Sequence, residues 1–288
     1  MERYDFTFSL GFGCGVTQSL RAAGLQFASY PLDWTAAPSV GASARLVAAG
    51  FDRWLEPEDL RLVDVRHGVG FCTRIYKNVR TGFGFTHEFS DFERFKTSYP
   101  KVKAMYERRI GRFLGRMRAA RRILAVYAEL PIRPRPPVAE LEAARKVLKD
   151  AFPQAEIDLV CFFVEPGQRE PAVAKPLDGL TVVGLDYRKF DDGKVTHFIE
   201  TDKMTSWLRR NFSVSVQPDR EDPSRHGKHS VCSDAWRWGK EKSWLRRWIN
   251  KNVYKLYRHL EMVLLKRGMV HREGPLWFVD VQGQEGER

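Results

Sequence analysis

The sequence predicts an α/β protein with a layered, mainly parallel sheet and flanking helices, followed by a basic amphipathic helical appendage. Four apolar runs predict strands covered on both faces, because their apolar residues are continuous rather than alternating. These runs lie at 4–10, 122–130, 156–165 and 180–187. Helical patterns separate them, and strands that alternate with helices favour right-handed crossovers within a parallel sheet.

Helical periodicity marks four further segments, at 14–23, 38–50, 101–120 and 137–151. The region from 51 to 100 is rich in glycine and aromatic residues instead. We expect it to form loops and short strands that cover one end of the sheet, which is where functional residues are often found.

The domain boundary follows from a change in composition. Residues 218–228, PDREDPSRHGK, combine two prolines and many charges with few apolar side chains, as is typical of a linker. We therefore predict an α/β domain over 1–217 and a basic amphipathic tail over 229–288. The chain has 288 residues, of which 43% are hydrophobic, so it can form a packed core.

The cysteines and the N-terminal segment indicate the compartment. Cys14, Cys72, Cys161 and Cys232 lie far apart with no C-x-x-C pair, which argues against a zinc ribbon and against a dense disulfide framework. The N-terminal residues lack a basic region followed by a long apolar segment, and no uninterrupted apolar run is long enough to span a membrane. We expect a cytoplasmic protein with no metal and no cofactor.

Residues 9–21, SLGFGCGVTQSLR, place Cys14 between the first predicted strand and the first predicted helix. The carboxyl edge of an open α/β sheet is where ligands bind. Unpaired N–H groups at a helix N-terminus favour a thiolate and so lower the pKa of a thiol. Gly13 and Gly15 allow a sharp turn whose N–H groups face an oxyanion. Cys14 is therefore a candidate nucleophile.

Two other interpretations of this motif stay open. The G-x-G-x-G pattern partly matches a dinucleotide-binding loop, although it lacks the full G-x-G-x-x-G spacing and the acidic residue of the second strand. The second interpretation is that Cys14 is a buried cysteine with a purely structural role, since free cysteine is among the most buried residue types.

A cysteine nucleophile needs a base, most often histidine. His87 follows a glycine and aromatic run and is flanked by Glu88, whereas His67 and His197 are weaker candidates by context. Asp33, in the turn SYPLDW, is a candidate for the acid that orients the base. An aspartate in a turn also commonly accepts backbone N–H bonds, and that structural role stays open for Asp33.

Four motifs point to one known family. They are S-L-G-x-x-C around Cys14, the P-L-D-W turn, the F-T-H-E-F segment and the Y-E-R-R-I-G-R-F helix. Together they resemble the bacterial domain family described as putative papain-like cysteine peptidases, over about 5–130 and more loosely to about 210. The resemblance implies a nucleophile at Cys14, a general base at His87 and an acid at Asp33.

Positive charge is concentrated in two places, and the net charge of +12 favours an anionic partner. Arg108 and Arg109 belong to an arginine-rich helix, which forms either a solvated basic face or a site for phosphate or acidic sugar. Residues 240–267 form a basic amphipathic segment, with nine Lys or Arg against two Glu. This segment either binds an anionic membrane surface, as a peripheral inner-membrane protein would, or packs on the core.

Three functions compete at this point. The first is a cysteine-dependent hydrolase or acyl transferase that uses Cys14. The second is a sugar- or phosphate-handling transferase of surface-polysaccharide assembly, in which Arg108 and Arg109 bind the anion. The third is a membrane-associated binding module without catalysis. Nucleic acid is not an expected partner, because the sequence has no zinc finger, recognition helix or aromatic RNA-binding motif.

Overall fold

The structure is a computed structural model that describes residues 1–11, 13–68, 71–90, 95–130, 133–191 and 194–215. The predicted linker and tail lie outside the described residues. Within these residues, no helix combines the length and the hydropathy that a transmembrane span requires.

The central sheet has five strands in the order β2-β7-β8-β10-β9. Its strands are β2 (Phe6–Ser9), β7 (Arg122–Ala128), β8 (Glu156–Val164), β9 (Ala172–Leu177) and β10 (Leu180–Leu185). The first four in spatial order are parallel, and only β9, at one edge, is antiparallel. The four strands predicted from apolar runs are these four parallel neighbours, so the prediction is confirmed for this sheet.

Helices cover both faces of the central sheet. They are α1 (Cys14–Ala22), α2 (Val40–Ala48), α3 (Phe95–Ala119), α4 (Val138–Ala151) and α5 (Thr201–Asn211). Helices α1 and α5 pack on the face that carries Leu124 and Val126, whereas α2, α3 and α4 pack on the face that carries Ile123 and Ala125. This two-sided burial explains the continuous apolar runs, since both faces of each strand lie in the core.

The region from 51 to 100 differs from its prediction. It forms most of an antiparallel sheet in the order β3-β6-β5-β4, so the expectation of loops and short strands is wrong. The strands are β3 (Thr35–Ala36), β4 (Leu60–Gly68), β5 (Phe71–Asn78) and β6 (Gly84–Ser90). Phe85 of β6 packs against Trp54 and Tyr106, with ring centroids 4.9 and 5.6 Å away. These aromatic contacts bury one face of the antiparallel sheet against α3.

The remaining strands form two small pairs. Strands β1 (Glu2–Tyr4) and β13 (Phe212–Val214) run parallel, while β11 (Arg188–Asp191) and β12 (Lys194–Ile199) form an antiparallel pair. The first pair joins the start of the chain to the end of α5. A short 3-10 helix, Pro57–Asp59, precedes β4.

Candidate functional site

Cys14 is the first residue of α1 and lies just beyond the carboxyl end of β2. Gly11 and Gly13 have φ angles of 94° and 69°, in the left-handed region that only glycine adopts at low cost. A Cβ atom on Gly11 would also lie 3.1 Å from the Cβ of Ala37. The glycines therefore build the tight turn that brings Cys14 to the helix N-terminus.

The environment of the Cys14 thiol differs from the one expected at a helix N-terminus. The side chain is half-buried, and burial raises the pKa of the Cys14 thiol, an effect that its own backbone N–H offsets only in part. No side chain among the described residues hydrogen bonds to the thiol. The prediction of a lowered pKa is thus wrong for this structure, in which the neutral thiol is favoured.

The N–H groups predicted to face an oxyanion have different surroundings. The Gly13 N–H donates to the carbonyl oxygen of Thr35 at 3.3 Å, so it is already engaged. Gly15 lies in the first turn of α1, where N–H groups have no partner within the helix. The first turn of α1 therefore supplies donors close to the thiol, although Gly13 does not.

Asp33 is fully buried and holds the turn that follows α1. Its carboxylate accepts hydrogen bonds from Thr17 Oγ1 (3.0 Å), Gln26 Nε2 (2.7 Å) and the Tyr30 N–H (2.8 Å). Arg21 Nη2 lies 3.9 Å from its Oδ2. Burial nevertheless raises the pKa of Asp33. Because Thr17 lies one turn after Cys14, Asp33 fixes the helix of the cysteine against this turn.

Backbone contacts connect the cysteine turn to the strand of His87. Thr35, which accepts the Gly13 N–H, pairs with Phe85 across the β3–β6 ladder. His87 follows Phe85 by two residues on the same strand, and the hydroxyl of Thr86 donates to the carbonyl oxygen of Trp34 at 3.2 Å. The Trp34 ring meets the His87 ring edge to face, with centroids 6.4 Å apart. The structure thus brings together the segments of Cys14, Asp33 and His87.

The His87 side chain is exposed, while its neighbour Glu88 is buried. One carboxylate oxygen of Glu88 accepts the backbone N–H of His87 at 3.0 Å, and the other accepts the hydroxyl of Tyr106 at 2.9 Å. The Arg109 guanidinium lies 5.3 Å from the centre of the Tyr106 ring. Arg108 is exposed on the same helix. Arg109 therefore belongs to the packing behind the His87 strand and not to the cysteine turn.

Glu129 is a buried acid that the sequence analysis did not single out. It follows β7 immediately, and the preceding residue, Ala128, donates its N–H to the carbonyl oxygen of Gly11 at 3.4 Å. Its carboxylate accepts the hydroxyl of Tyr127 at 2.8 Å and the N–H of Leu130 at 2.9 Å. The sequence did carry a signal for Glu129, since it is an acidic residue at the end of a predicted strand. That strand lies beside the one that precedes Cys14. Glu129 lies at the same sheet edge as Cys14.

The stability of the protein should depend on pH through Glu129, because burial raises the pKa of its carboxyl above the ordinary value of 4.5. The folded state then binds a proton more readily than the unfolded state, so Glu129 favours folding more as the pH falls toward 4.5. The free energy of unfolding of the wild type, relative to Glu129→Gln, should therefore be larger at pH 5 than at pH 7.5. Urea denaturation of both proteins at the two pH values measures it, and a pH-independent difference would contradict the prediction.

A polar cavity of about 440 Å³ lies at the opposite end of the central sheet. It is lined by residues at the amino ends of β7 and β8, including Arg122, Glu156 and Asp158. Arg122 lies 3.6 Å from Glu156 and 3.7 Å from Asp158, so its charge is compensated there. This cavity is remote from Cys14.

An α/β domain with a cysteine at the first helical turn after an edge strand, and a histidine on a strand of a second sheet, has the components of a cysteine-dependent enzyme. Residues 5–143 match the model of the family described as putative papain-like cysteine peptidase, and this match includes Cys14, Asp33 and His87. The resemblance predicted from the motifs is thereby confirmed. No curated protein and no solved structure gives a significant match to the chain.

Proposed function

We propose that the protein is a cysteine-dependent hydrolase or acyl transferase with Cys14 as its nucleophile. The observation that carries the proposal is the position of Cys14 at the first residue of α1, beyond an edge strand, in a turn that Thr35 of β3 connects to the strand of His87. The sulfur forms a thioester with the acyl carbon while the leaving group takes the proton of the thiol. Water, or a second acceptor, then breaks the thioester and releases the acyl group.

His87 is the general base of this proposal. The neutral Cys14 thiol is favoured by burial, so it has to lose its proton during the attack rather than before it. An imidazole can accept that proton and pass it to the leaving group. The exposed His87 side chain lies beside the ring of Trp34, the residue between Asp33 and β3. The hydroxyl of the neighbouring Thr86 also donates to the carbonyl oxygen of Trp34.

Asp33 and the helix N-terminus complete the proposed site in different ways. The N–H groups of Cys14 and Gly15 in the first turn of α1 are the proposed donors to the oxyanion. Asp33 already accepts three hydrogen bonds and does so in a buried position. Its proposed role is therefore to hold α1 and the Trp34 turn in register, rather than to contact the reacting atoms.

Thiol labelling tests this proposal. A small neutral electrophile such as N-ethylmaleimide should modify Cys14 in the folded protein before Cys161, which is buried and whose thiol pKa burial also raises. The labelling rate should rise with pH through a midpoint above the ordinary thiol value, since burial raises the pKa of Cys14. Mass spectrometry of digested protein identifies the labelled cysteine. Equal labelling of all four cysteines, or none at Cys14, would overturn the proposal.

The transferase of surface-polysaccharide assembly is a second candidate, and one observation favours it. Arg109 Nη1 is buried without a hydrogen-bond partner among the described residues, as a donor reserved for an anionic ligand would be. In that case Cys14→Ser would keep most of the activity, whereas Arg109→Gln would remove it. A cysteine nucleophile requires the opposite pair of results.

We also propose that residues 240–267 bind an anionic membrane surface, in support of a peripheral location at the inner membrane. The support is their sequence, in which nine basic residues and two acidic residues accompany an apolar stripe between 239 and 268. The protein should sediment with vesicles that contain phosphatidylglycerol but not with pure phosphatidylcholine vesicles, and salt should weaken the binding. A variant truncated after residue 228 is the control. If it binds the vesicles as well as the full chain does, the tail is not the membrane-binding segment.

A further inference from the structure

Arg21 occupies an unusual position on the helix of the proposed nucleophile. Its guanidinium lies 5.5 Å from the centre of the Trp34 ring, and Nη2 donates to Ser29 Oγ at 2.7 Å. The carboxylate of Asp33 lies 3.9 Å away. An arginine side chain on a helix surface is ordinarily free to adopt many rotamers, whereas three neighbours restrain this one.

The restrained guanidinium still has donors to offer. An arginine carries five N–H donors, and among the described residues only Ser29 takes one of them within hydrogen-bond distance. The Arg21 side chain is 37% exposed, so solvent reaches it. Asp33 does not occupy the other donors closely, because its oxygens are already engaged by Thr17, Gln26 and Tyr30. A fixed guanidinium with an accessible edge matches a carboxylate or a phosphate group.

A second arginine contacts the same serine as Arg21. Arg112 of α3 donates from Nη2 to the carbonyl oxygen of Ser29 at 2.6 Å, so both guanidinium groups converge on one residue. Arg112 also lies 6.0 Å from the centre of the Tyr30 ring. Arg112 therefore fixes Ser29, and Ser29 in turn fixes the guanidinium of Arg21.

Arg21 lies on the same side of α1 as the proposed nucleophile. Cys14, Thr17 and Arg21 lie at positions i, i+3 and i+7 of α1, which place them along one face of the helix. The rise of an α-helix sets the Cα atoms of Cys14 and Arg21 about 10 Å apart. Trp34 contacts both Arg21 and His87, so its ring spans the region between the arginine and the proposed base.

We propose that Arg21, supported by Arg112 and Trp34, binds an oxyanion of the substrate, and this inference rests on the proposed function at Cys14. The substrate class is then an acyl compound that carries a carboxylate or a phosphate away from the carbon that Cys14 attacks. Arg21 is a specificity residue in this scheme, because it contacts the substrate away from the reacting atoms.

A matched pair of thiol reagents tests the inference. The probes are 3-maleimidopropionate, which carries a tethered carboxylate, and the neutral N-ethylmaleimide. The wild type should prefer the charged reagent, and Arg21→Gln should lower the ratio of the two labelling rates at Cys14 about threefold, the value of one exposed ion pair. Arg21→Lys should restore part of the ratio. Arg118→Gln removes the same charge from an exposed site on α3 and should leave the ratio unchanged.

Inorganic phosphate provides a readout that does not need a reactive cysteine. Phosphate should raise the melting temperature of the wild type and of Arg118→Gln more than that of Arg21→Gln. If Cys14 resists both reagents while the phosphate effect depends on Arg21, the proposed function fails and the anion site stands. If Cys14 reacts but neither the rate ratio nor the phosphate effect depends on Arg21, this inference is overturned. A phosphate effect without any rate preference would assign the site to a free anion instead of the substrate.

Discussion

Replacing His87 with alanine is expected to slow the acylation of Cys14 by about 10²- to 10⁴-fold, the usual contribution of a general base. The reason is electrostatic, since burial raises the pKa of the Cys14 thiol and leaves little thiolate at neutral pH. The measurement is the single-turnover release of p-nitrophenol from p-nitrophenyl acetate, with the rate of Cys14→Ser subtracted as background.

His226→Ala is the matched control for this prediction, because it makes the same chemical change in the predicted linker. Its acylation rate should equal that of the wild type. The rate of His87→Ala should approach that of the wild type at high pH, where hydroxide ionises the thiol without a base. A His87→Ala rate that equals the wild-type rate at pH 7 would remove His87 from the mechanism.

Asp33→Ala should destabilise the protein by about 3 to 5 kcal/mol, because it removes three buried hydrogen bonds to one carboxylate. The donors are the Thr17 hydroxyl, the Gln26 amide and the Tyr30 N–H. Asp33→Asn keeps one carbonyl oxygen in place, so its free energy of unfolding should fall by less. The free energy of unfolding from urea denaturation measures both effects.

Asp52→Ala is the control for Asp33, since Asp52 is exposed on the surface. It should change the free energy of unfolding by no more than about 0.5 kcal/mol. The folded Asp33→Asn protein also separates stability from chemistry. If Asp33 only holds the turn, this variant should label at Cys14 within a fewfold of the wild-type rate, whereas a loss of about 10²-fold or more would make Asp33 part of the proton relay.

The parallel sheet could be predicted because its strands are covered on both faces. Residues 123–128 alternate between two apolar clusters, so every position of this stretch is buried and the run is visible in the sequence. The antiparallel sheet could not be predicted as easily. Phe85 and Phe89 of β6 face the core, but Thr86 and Glu88 are also buried through hydrogen bonds, and this hides the alternation that marks a half-buried strand.

The site was predictable only in part. Cys14 and His87 stood out because glycine turns and family motifs surround them. Arg21 did not, because an exposed arginine on a helix is ordinarily a solvated side chain. Its importance depends on Ser29, Trp34 and Asp33, which meet it only in the folded chain. The predicted direction of the Cys14 pKa shift was wrong for a related reason. Burial by the folded chain raises the pKa of the thiol and outweighs the local effect of the helix N-terminus.

The pairing of β3 with β6 covers only two residues, Thr35 and Ala36. Cys14 begins the helix that follows the central sheet, whereas His87 lies on the antiparallel sheet, so the separation of thiol and imidazole depends on how the two sheets pack rather than on local chain geometry. Trp54, Phe85 and Tyr106 form much of that packing. An aromatic core behind the His87 strand therefore sets the position of the imidazole, and changing the volume of one of its rings would change proton transfer without altering any group that reacts.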